Sequence, residues 1–283
     1  MNLNNAWVVI TGASRGIGVT IAEEFAKKKA NLILIARSMD GLKKTCDQVE
    51  NLGGKAHAIA FDLEKISQIE SLAEKINKLA PHIDVLVNNA GLEKYCFFTK
   101  YKREDITSVL NVNLIAPMEL TRLLLPGMLN RRKGHVINIS SVAGKLGEIY
   151  NTLYDTSKGG MELWTDALRQ ELYKTGVKIT SINPGAVSDA GMIYNIGVKY
   201  PVLLGACTTQ GVADAVIKCT SKYKSRVFIN SLPIKPFIIV SVIFPRLVDT
   251  IFRWLGITRT NIKKVEKRMK SDQQKAAKEN KKN

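Results

Sequence analysis

The apolar run Trp7–Ile10 passes without a spacer into Thr11-Gly12-Ala13-Ser14-Arg15-Gly16-Ile17-Gly18, and a helical pattern with Ile21, Ala22 and Phe25 on one face follows. Glycines at these positions let the backbone turn sharply and come close to a pyrophosphate. The free N–H groups and the positive end of the helix dipole then hold the anion. A tight strand-to-helix turn without a ligand is the plainer alternative. The strand before and the helix after weigh against it, because together they place the turn in a βαβ unit.

The rest of the chain repeats that alternation. Strands are predicted at Trp7–Ile10, Leu32–Ala36, Ala56–Phe61, Asp84–Val87, His135–Ile139, Val177–Ile182 and Arg226–Ile229. Helices are predicted at Gly18–Lys29, Asp40–Asn51, Ser67–Leu79, Glu104–Leu129, Thr152–Lys174 and Thr209–Lys222. Right-handed crossovers put helices on both faces of a parallel sheet, so the expected fold is a single doubly wound, Rossmann-type α/β domain. With 283 residues, 45% hydrophobic and 24% charged, the chain can bury one substantial core and is neither disordered nor a multi-span membrane protein. The domain is expected over residues 1–232, with an apolar and amphipathic extension over 233–257 and a basic, disordered tail over 258–283.

In such sheets ligands bind outside the carboxyl ends of the strands, which is where candidate residues fall. The second strand ends at Ala36-Arg37-Ser38, where an NAD-binding protein usually has an acid. Arg37, together with Arg15, suits a 2′-phosphate and favours NADP(H) over NAD(H). Asp40 is the counterargument, but Ser38-Met39-Asp40-Gly41 reads better as a helix start. Asp62, ending the third strand, can accept from an adenine amino group or cap a helix. In Asn88-Asn89-Ala90-Gly91 the amides can tie neighbouring strands, while the small residues make room for a cofactor. Tyr154 and Lys158 are four residues apart and share a helix face. An ammonium there favours the phenolate, bringing a group with a pKa of about 10 toward working range, and can also hold a ribose. Ser140 and Ser141 close the fifth strand, with Ser141 thirteen residues before Tyr154.

Taken in order and spacing, Thr11–Gly18, Asn88–Gly91, Asn113, Ser141, Tyr154-Asp155-Thr156-Ser157-Lys158 and Asn183-Pro184-Gly185 resemble the short-chain dehydrogenase/reductase family. The resemblance covers roughly residues 6–230. It implies a nicotinamide cofactor held by Gly12, Ser14, Arg15, Gly16, Ile17 and Gly18, by Arg37, Asp62, Asn89, Ala90 and Gly91, and on its far side by Tyr154, Lys158, Pro184, Gly185 and Val187. Ser141 would polarise a substrate carbonyl, Tyr154 donate the proton, Lys158 tune it and Asn113 hold a relay water. Ser140 is the less favoured serine on spacing. Ser188 stands where many members have threonine, and keeps the hydroxyl. Homodimers or homotetramers through the long helices are also implied. Within the family, Met118–Pro126 and Trp164–Leu172 resemble cyanobacterial ketoacyl reductases associated with heterocyst development, which implies a 3-oxoacyl thioester, free or bound to an acyl carrier, or a related lipid ketone as substrate.

Four scattered cysteines, Cys46, Cys96, Cys207 and Cys219, and a start without a secretory signal point to a reducing, cytoplasmic setting. His57, His82 and His135 lack ligand spacing, so no metal is expected. Of the net charge of +17, the segment after Ile257 supplies +7, ten Lys/Arg against three Asp/Glu. Aromatics are not interleaved with these cations, which argues against nucleic acid. The apolar stretch Phe237–Phe244 and the pattern Leu247, Val248, Ile251, Phe252 and Leu255 are too short to span a bilayer. They can lie on one, or pack over the cleft or a neighbouring subunit. Ser188–Gly205, with Met192, Ile193 and Tyr194, reads as a pocket lid or a plain surface loop. Two function classes stay open: a carbonyl reductase, and a non-enzymatic NADP(H)-sensing or interaction protein that uses its C-terminal region.

Overall fold

The structure, a computed structural model, describes residues 1–190, 205–259, 261–263 and 265–267. The chain runs β1 (Trp7–Thr11), α1 (Ile17–Ala26), β2 (Asn31–Ala36), α2 (Met39–Asn51), β3 (Lys55–Ala60), α3 (Ile69–Leu79) and β4 (Val85–Asn88). It continues through α4 (Arg103–Leu110), α5 (Ala116–Asn130), β5 (Gly134–Ile139), α6 (Thr152–Glu171) and β6 (Val177–Pro184). A short strand pair, β7 (Ala186–Val187) and β8 (Ala206–Cys207), precedes α7 (Thr209–Ser221) and β9 (Arg226–Ile229). Two helices, α8 (Lys235–Ile243) and α9 (Pro245–Trp254), follow.

Seven strands form one parallel sheet in the order β3-β2-β1-β4-β5-β6-β9. Both faces of the central strands β1, β2, β4, β5 and β6 are buried, as a parallel sheet requires. Alternate residues of β1 divide between two apolar layers: Val8 and Ile10 join Ile21 and Phe25 of α1 and Val212 and Val216 of α7, while Val9 joins Leu72 of α3 and Leu120 of α5. The strand order reverses between β1 and β4, and the crevice at their carboxyl ends is the place where a doubly wound sheet takes its ligand.

A polar seam crosses the second layer. Asn88 donates to Asn138 Oδ1 at 2.8 Å and to Thr121 Oγ1 at 3.2 Å, and Asn138 donates to Thr165 Oγ1 at 2.8 Å. These bonds tie β4, β5, α5 and α6 together behind the cleft. His135 is also satisfied internally. Thr180 gives its hydroxyl proton to the Lys224 carbonyl at 2.6 Å, so it accepts from His135 Nε2 at 2.8 Å. Burial holds that imidazole neutral, its pKa pushed down to about 3.

Two expectations are corrected. The single helix Glu104–Leu129 is three pieces, α4 and α5 being joined by a π-helical turn over Asn111–Ile115. Pro117 has no N–H to give the Asn113 carbonyl four residues back, so a regular ladder cannot close there. The tail expected to be disordered from residue 258 begins as helix instead: Ile257, Asn261 and Val265, four residues apart, are all buried, and Asn261 donates to Glu148 Oε1 at 2.9 Å. Met192, Ile193 and Tyr194, and residues 268–283, lie outside the described residues.

Candidate active site

At the carboxyl end of β1 the chain turns through Gly12, whose φ is +68°, and Gly16, whose φ is +59°. A Cβ on Gly12 would lie 2.8 Å from the Ala90 Cα. One on Gly18 would lie 2.2 Å from the Gly12 carbonyl oxygen. These separations leave no room for a side chain, so the close approach of α1, β1 and the β4 turn depends on glycine. The turn is held from the side. Thr11 Oγ accepts from the Asn89 and Ala90 N–H groups at 3.0 and 3.1 Å, and Asn89 Nδ2 donates to the carbonyls of Thr11 and Gly12 at 2.9 and 3.2 Å.

A cavity of about 1300 Å³ runs from this turn along the sheet's carboxyl edge. That exceeds the roughly 300–1,000 Å³ of a single small-ligand site, leaving space for a dinucleotide and a substrate. Gly12, Ser14, Arg15, Gly16, Ile17, Arg37, Asp62, Asn89, Ala90 and Gly91 line one end. Ser141, Tyr154, Lys158, Pro184, Gly185 and Val187 line the other. Gly18 and Asn113 stand behind the wall. Arg15 and Arg37 are exposed, and among the described residues neither has an ion-pair partner. The Ser38 hydroxyl accepts from Gly41 N–H at 3.2 Å and starts α2. Asp62 accepts from Glu64 N–H at 3.2 Å, so its carboxylate both closes a turn and faces the cavity.

At the other end, α6 carries Tyr154 and Lys158 on one face. Lys158 Nζ sits 5.6 Å from the centre of the Tyr154 ring and donates to the Ile139 carbonyl at 2.8 Å. Burial is the main influence on both groups. It pushes the Tyr154 phenol well above the ordinary tyrosine range, reinforced by the carboxylate of Glu93 and opposed by a hydrogen bond with Ser141. It pulls Lys158 down to about 8, against the upward pull of Glu93 and Glu162. Among the protein's own groups, desolvation of the phenolate is the largest influence on Tyr154.

The adjacent serines both line the cavity but use their hydroxyls differently. Ser140 Oγ is buried and donates to the Lys158 carbonyl at 3.2 Å, tying β5 to α6. Ser141 Oγ lines the cavity and accepts from Ala143 N–H at 3.1 Å. Asn113 is fully buried and its amide is spent on backbone and neighbour. It accepts from Leu92 N–H at 2.7 Å and donates to the Leu92 carbonyl and to Ser157 Oγ at 2.8 and 2.9 Å. The Ser188 hydroxyl donates to the Cys207 carbonyl at 3.1 Å.

Sequence reasoning missed one contributor. Glu93, two residues beyond the Asn88–Gly91 turn, is buried in the cavity wall and accepts from Asn151 Nδ2 at 2.8 Å. Its place just past a strand's carboxyl end is the signal that could have found it. Ile234, Phe252 and Ile257 of the C-terminal region also line the cavity. Among the described residues no group of three metal-type side chains gathers.

Comparison with known proteins agrees with this geometry. Residues 6–199 match the family model described as short chain dehydrogenase. Over 273 residues, 95% of each chain, the sequence is 44% identical to a protein of Nostoc sp. named Ketoacyl reductase HetN. It is 30% identical over 243 residues to Dehydrogenase/reductase SDR family member 7B of Xenopus tropicalis, covering 81% of this chain and 79% of that one. Among solved structures, a metagenomic short-chain oxidoreductase (SDR) in complex with NADP superposes with a TM-score of 0.72 at 29% identity, over 82% of this chain and 100% of that one.

Proposed function

The chain belongs to the short-chain dehydrogenase family and is an oxidoreductase, and on that premise we propose that it reduces the carbonyl of a 3-oxoacyl thioester or similar lipid-like ketone with NADPH. The observation that carries this reading is the meeting of Ser141, Tyr154 and Lys158 at one end of a cavity whose other end is a glycine turn flanked by Arg15 and Arg37. The cofactor fits the residues present: Gly12 and Gly18 form a cradle that a Cβ would fill, and two exposed guanidiniums await a 2′-phosphate. When bound, the nicotinamide supplies the hydride to the carbonyl carbon.

The protein's part is alignment and proton delivery. Ser141 Oγ accepts from Ala143, which leaves its own proton to donate to the carbonyl oxygen. Tyr154, kept protonated by burial, is in the donor form at neutral pH and gives its proton as negative charge develops on that oxygen. Lys158 uses one N–H on Ile139, and its others remain for the ribose and for the phenolate left behind. The relay water implied for Asn113 falls to its carbonyl, because its side chain is occupied and Pro117 withholds the α-helical donor.

NADPH over NADH rests on Arg15 and Arg37, and the lipid-like substrate on the apolar wall of Leu92, Val142, Leu146, Phe252 and Ile257. The name of the Nostoc relative, a ketoacyl reductase, supports the 3-oxoacyl class. Exposed Met118 on α5 and Leu163 on α6 favour pairing of copies through the long helices, and four free cysteines suit a reducing cytoplasm. Nothing in the geometry favours the non-enzymatic alternative, which has no use for a gathered Ser141, Tyr154 and Lys158. The test is NADPH oxidation against 3-oxoacyl thioesters and unrelated ketones, with NADH as control. Tyr154→Phe should lower kcat by about 10²–10⁴-fold while NADPH binding is kept. Wild-type turnover by the Phe variant would remove Tyr154 from the chemistry.

A further inference from the structure

Helices α8 and α9 have two faces of different character. One turns to the cleft: Phe237 stacks on Phe252 with ring centres 5.5 Å apart, Val248 is buried, and Phe252 lines the cavity. The other turns away from the protein and is apolar. Ile239, Val242 and Ile243, at i, i+3 and i+4, are 60, 76 and 61% exposed. Phe244 sits exposed at the corner between the helices, and Leu247 and Trp254, seven residues apart, are 51 and 84% exposed. Single exposed apolar residues are ordinary, but a continuous face of them marks an interaction surface.

The charges around this face choose its occupant. Lys235, Arg246 and Arg253 are exposed, and Asp249 is the sole acid between Lys235 and Trp254. Arg253 lies over that acid, Nε donating to the Asp249 carbonyl at 3.1 Å with the guanidinium 4.0 Å from its carboxylate. The chain beyond Ile257 adds ten cations against three acids. A second copy would bring these cations up against their own kind. An anionic lipid surface accepts both the apolar face and the cations. Helices of nine and ten residues broken at Pro245 can only lie in the plane, and among the described residues no helix is long and apolar enough to cross a membrane. The exposed Trp254 suits the headgroup boundary, where tryptophan is favoured.

We propose that α8 and α9 dock the protein on an anionic lipid bilayer. Val242, Ile243, Phe244 and Trp254 enter the boundary between headgroups and acyl chains, and Lys235, Arg246 and Arg253 meet the phosphates. Because Phe252 on the inner face lines the cavity, docking sets the substrate end of the cleft one helix away from the lipid.

The test is co-sedimentation of the full chain with phosphatidylcholine vesicles, with and without phosphatidylglycerol, at low and high salt. Binding to the mixed vesicles is expected, weakened by salt and poor on phosphatidylcholine alone, with a blue shift of tryptophan emission that Trp254→Ala abolishes. The double variant Val242→Glu/Ile243→Glu should bind about tenfold or more weakly, with its melting temperature and its affinity for NADPH unchanged. Three results would overturn the proposal. The wild type could fail to bind mixed vesicles. The double variant could bind them as the wild type does, which assigns the contact to the basic tail. Or the double variant could turn a dimer into a monomer in light scattering without any vesicle binding, which gives this face to a second copy.

Discussion

At the nucleotide end of the cleft the wall is largely backbone: the turn through Gly12, Gly16 and Gly18 is so close to the Ala90 backbone and to itself that no Cβ fits at Gly12 or Gly18. At the substrate end it is side chains drawn from distant stretches, Leu92 and Glu93 beyond β4, Leu146 beyond β5, and Ile234, Phe252 and Ile257 from the C-terminal region. A backbone wall fixes one shape of ligand and tolerates almost no substitution. A side-chain wall can be reshaped residue by residue while the sheet beneath stays the same. The cofactor turn is therefore built where a side chain cannot be added, and the opposite wall is built where side chains can be exchanged.

The sharpest way to break this contrast is one substitution at each end. Gly18→Ala places a methyl 2.2 Å from the Gly12 carbonyl and forces the turn open. At about 1–3 kcal/mol for overpacking, NADPH affinity should fall by roughly ten- to hundredfold in a fluorescence titration. Phe252→Ala, in the side-chain wall, should leave that titration unchanged and raise KM for a long-chain ketone. If both variants weakened NADPH equally, the two ends would not be separate in the way described.

Arg37 sharpens the nucleotide half. A charge-assisted bond contributes about 1.5–3 kcal/mol, and exposure reduces that, so Arg37→Ala should weaken NADPH binding by about tenfold. NADH, lacking the 2′-phosphate, should bind as before. Equal losses for both would show that Arg37 serves the loop and not the phosphate.

The contrast also explains what the sequence could reveal. The seven strands of the sheet and the nucleotide turn were legible because each is a local pattern: apolar runs of strand length, glycines at fixed offsets, and helices with one apolar face. Tyr154, Lys158 and Ser141 were legible as a spacing. The π turn was not, since Asn111–Ile115 contains nothing foreign to an α-helix and only Pro117 hints at the break. Nor was Glu93, a single acid in a loop whose partner Asn151 is fifty-eight residues away. The start of the tail was misread for a different reason. The many lysines suggested a solvated chain, and they obscured the four-residue repeat of Ile257, Asn261 and Val265 that buries its first turns.

The smallest effect expected is also the one that joins the two ends, because Lys158 is proposed to hold the cofactor and Glu93 lies in the wall proposed for the substrate. Burial lowers Lys158 to about 8, so its ammonium is present below that pH and is lost as pH rises through it. NADPH affinity should accordingly be level at acid and neutral pH and decline above about 8. Glu93 stabilises the ammonium, so Glu93→Gln removes an upward pull and should move the decline to lower pH, by a few-fold in affinity at pH values near the wild-type midpoint. In Lys158→Met the dependence should disappear. A decline that stayed in place, or moved upward, in Glu93→Gln would mean that this carboxylate does not act on Lys158, and that the substrate wall and the cofactor site are electrostatically independent.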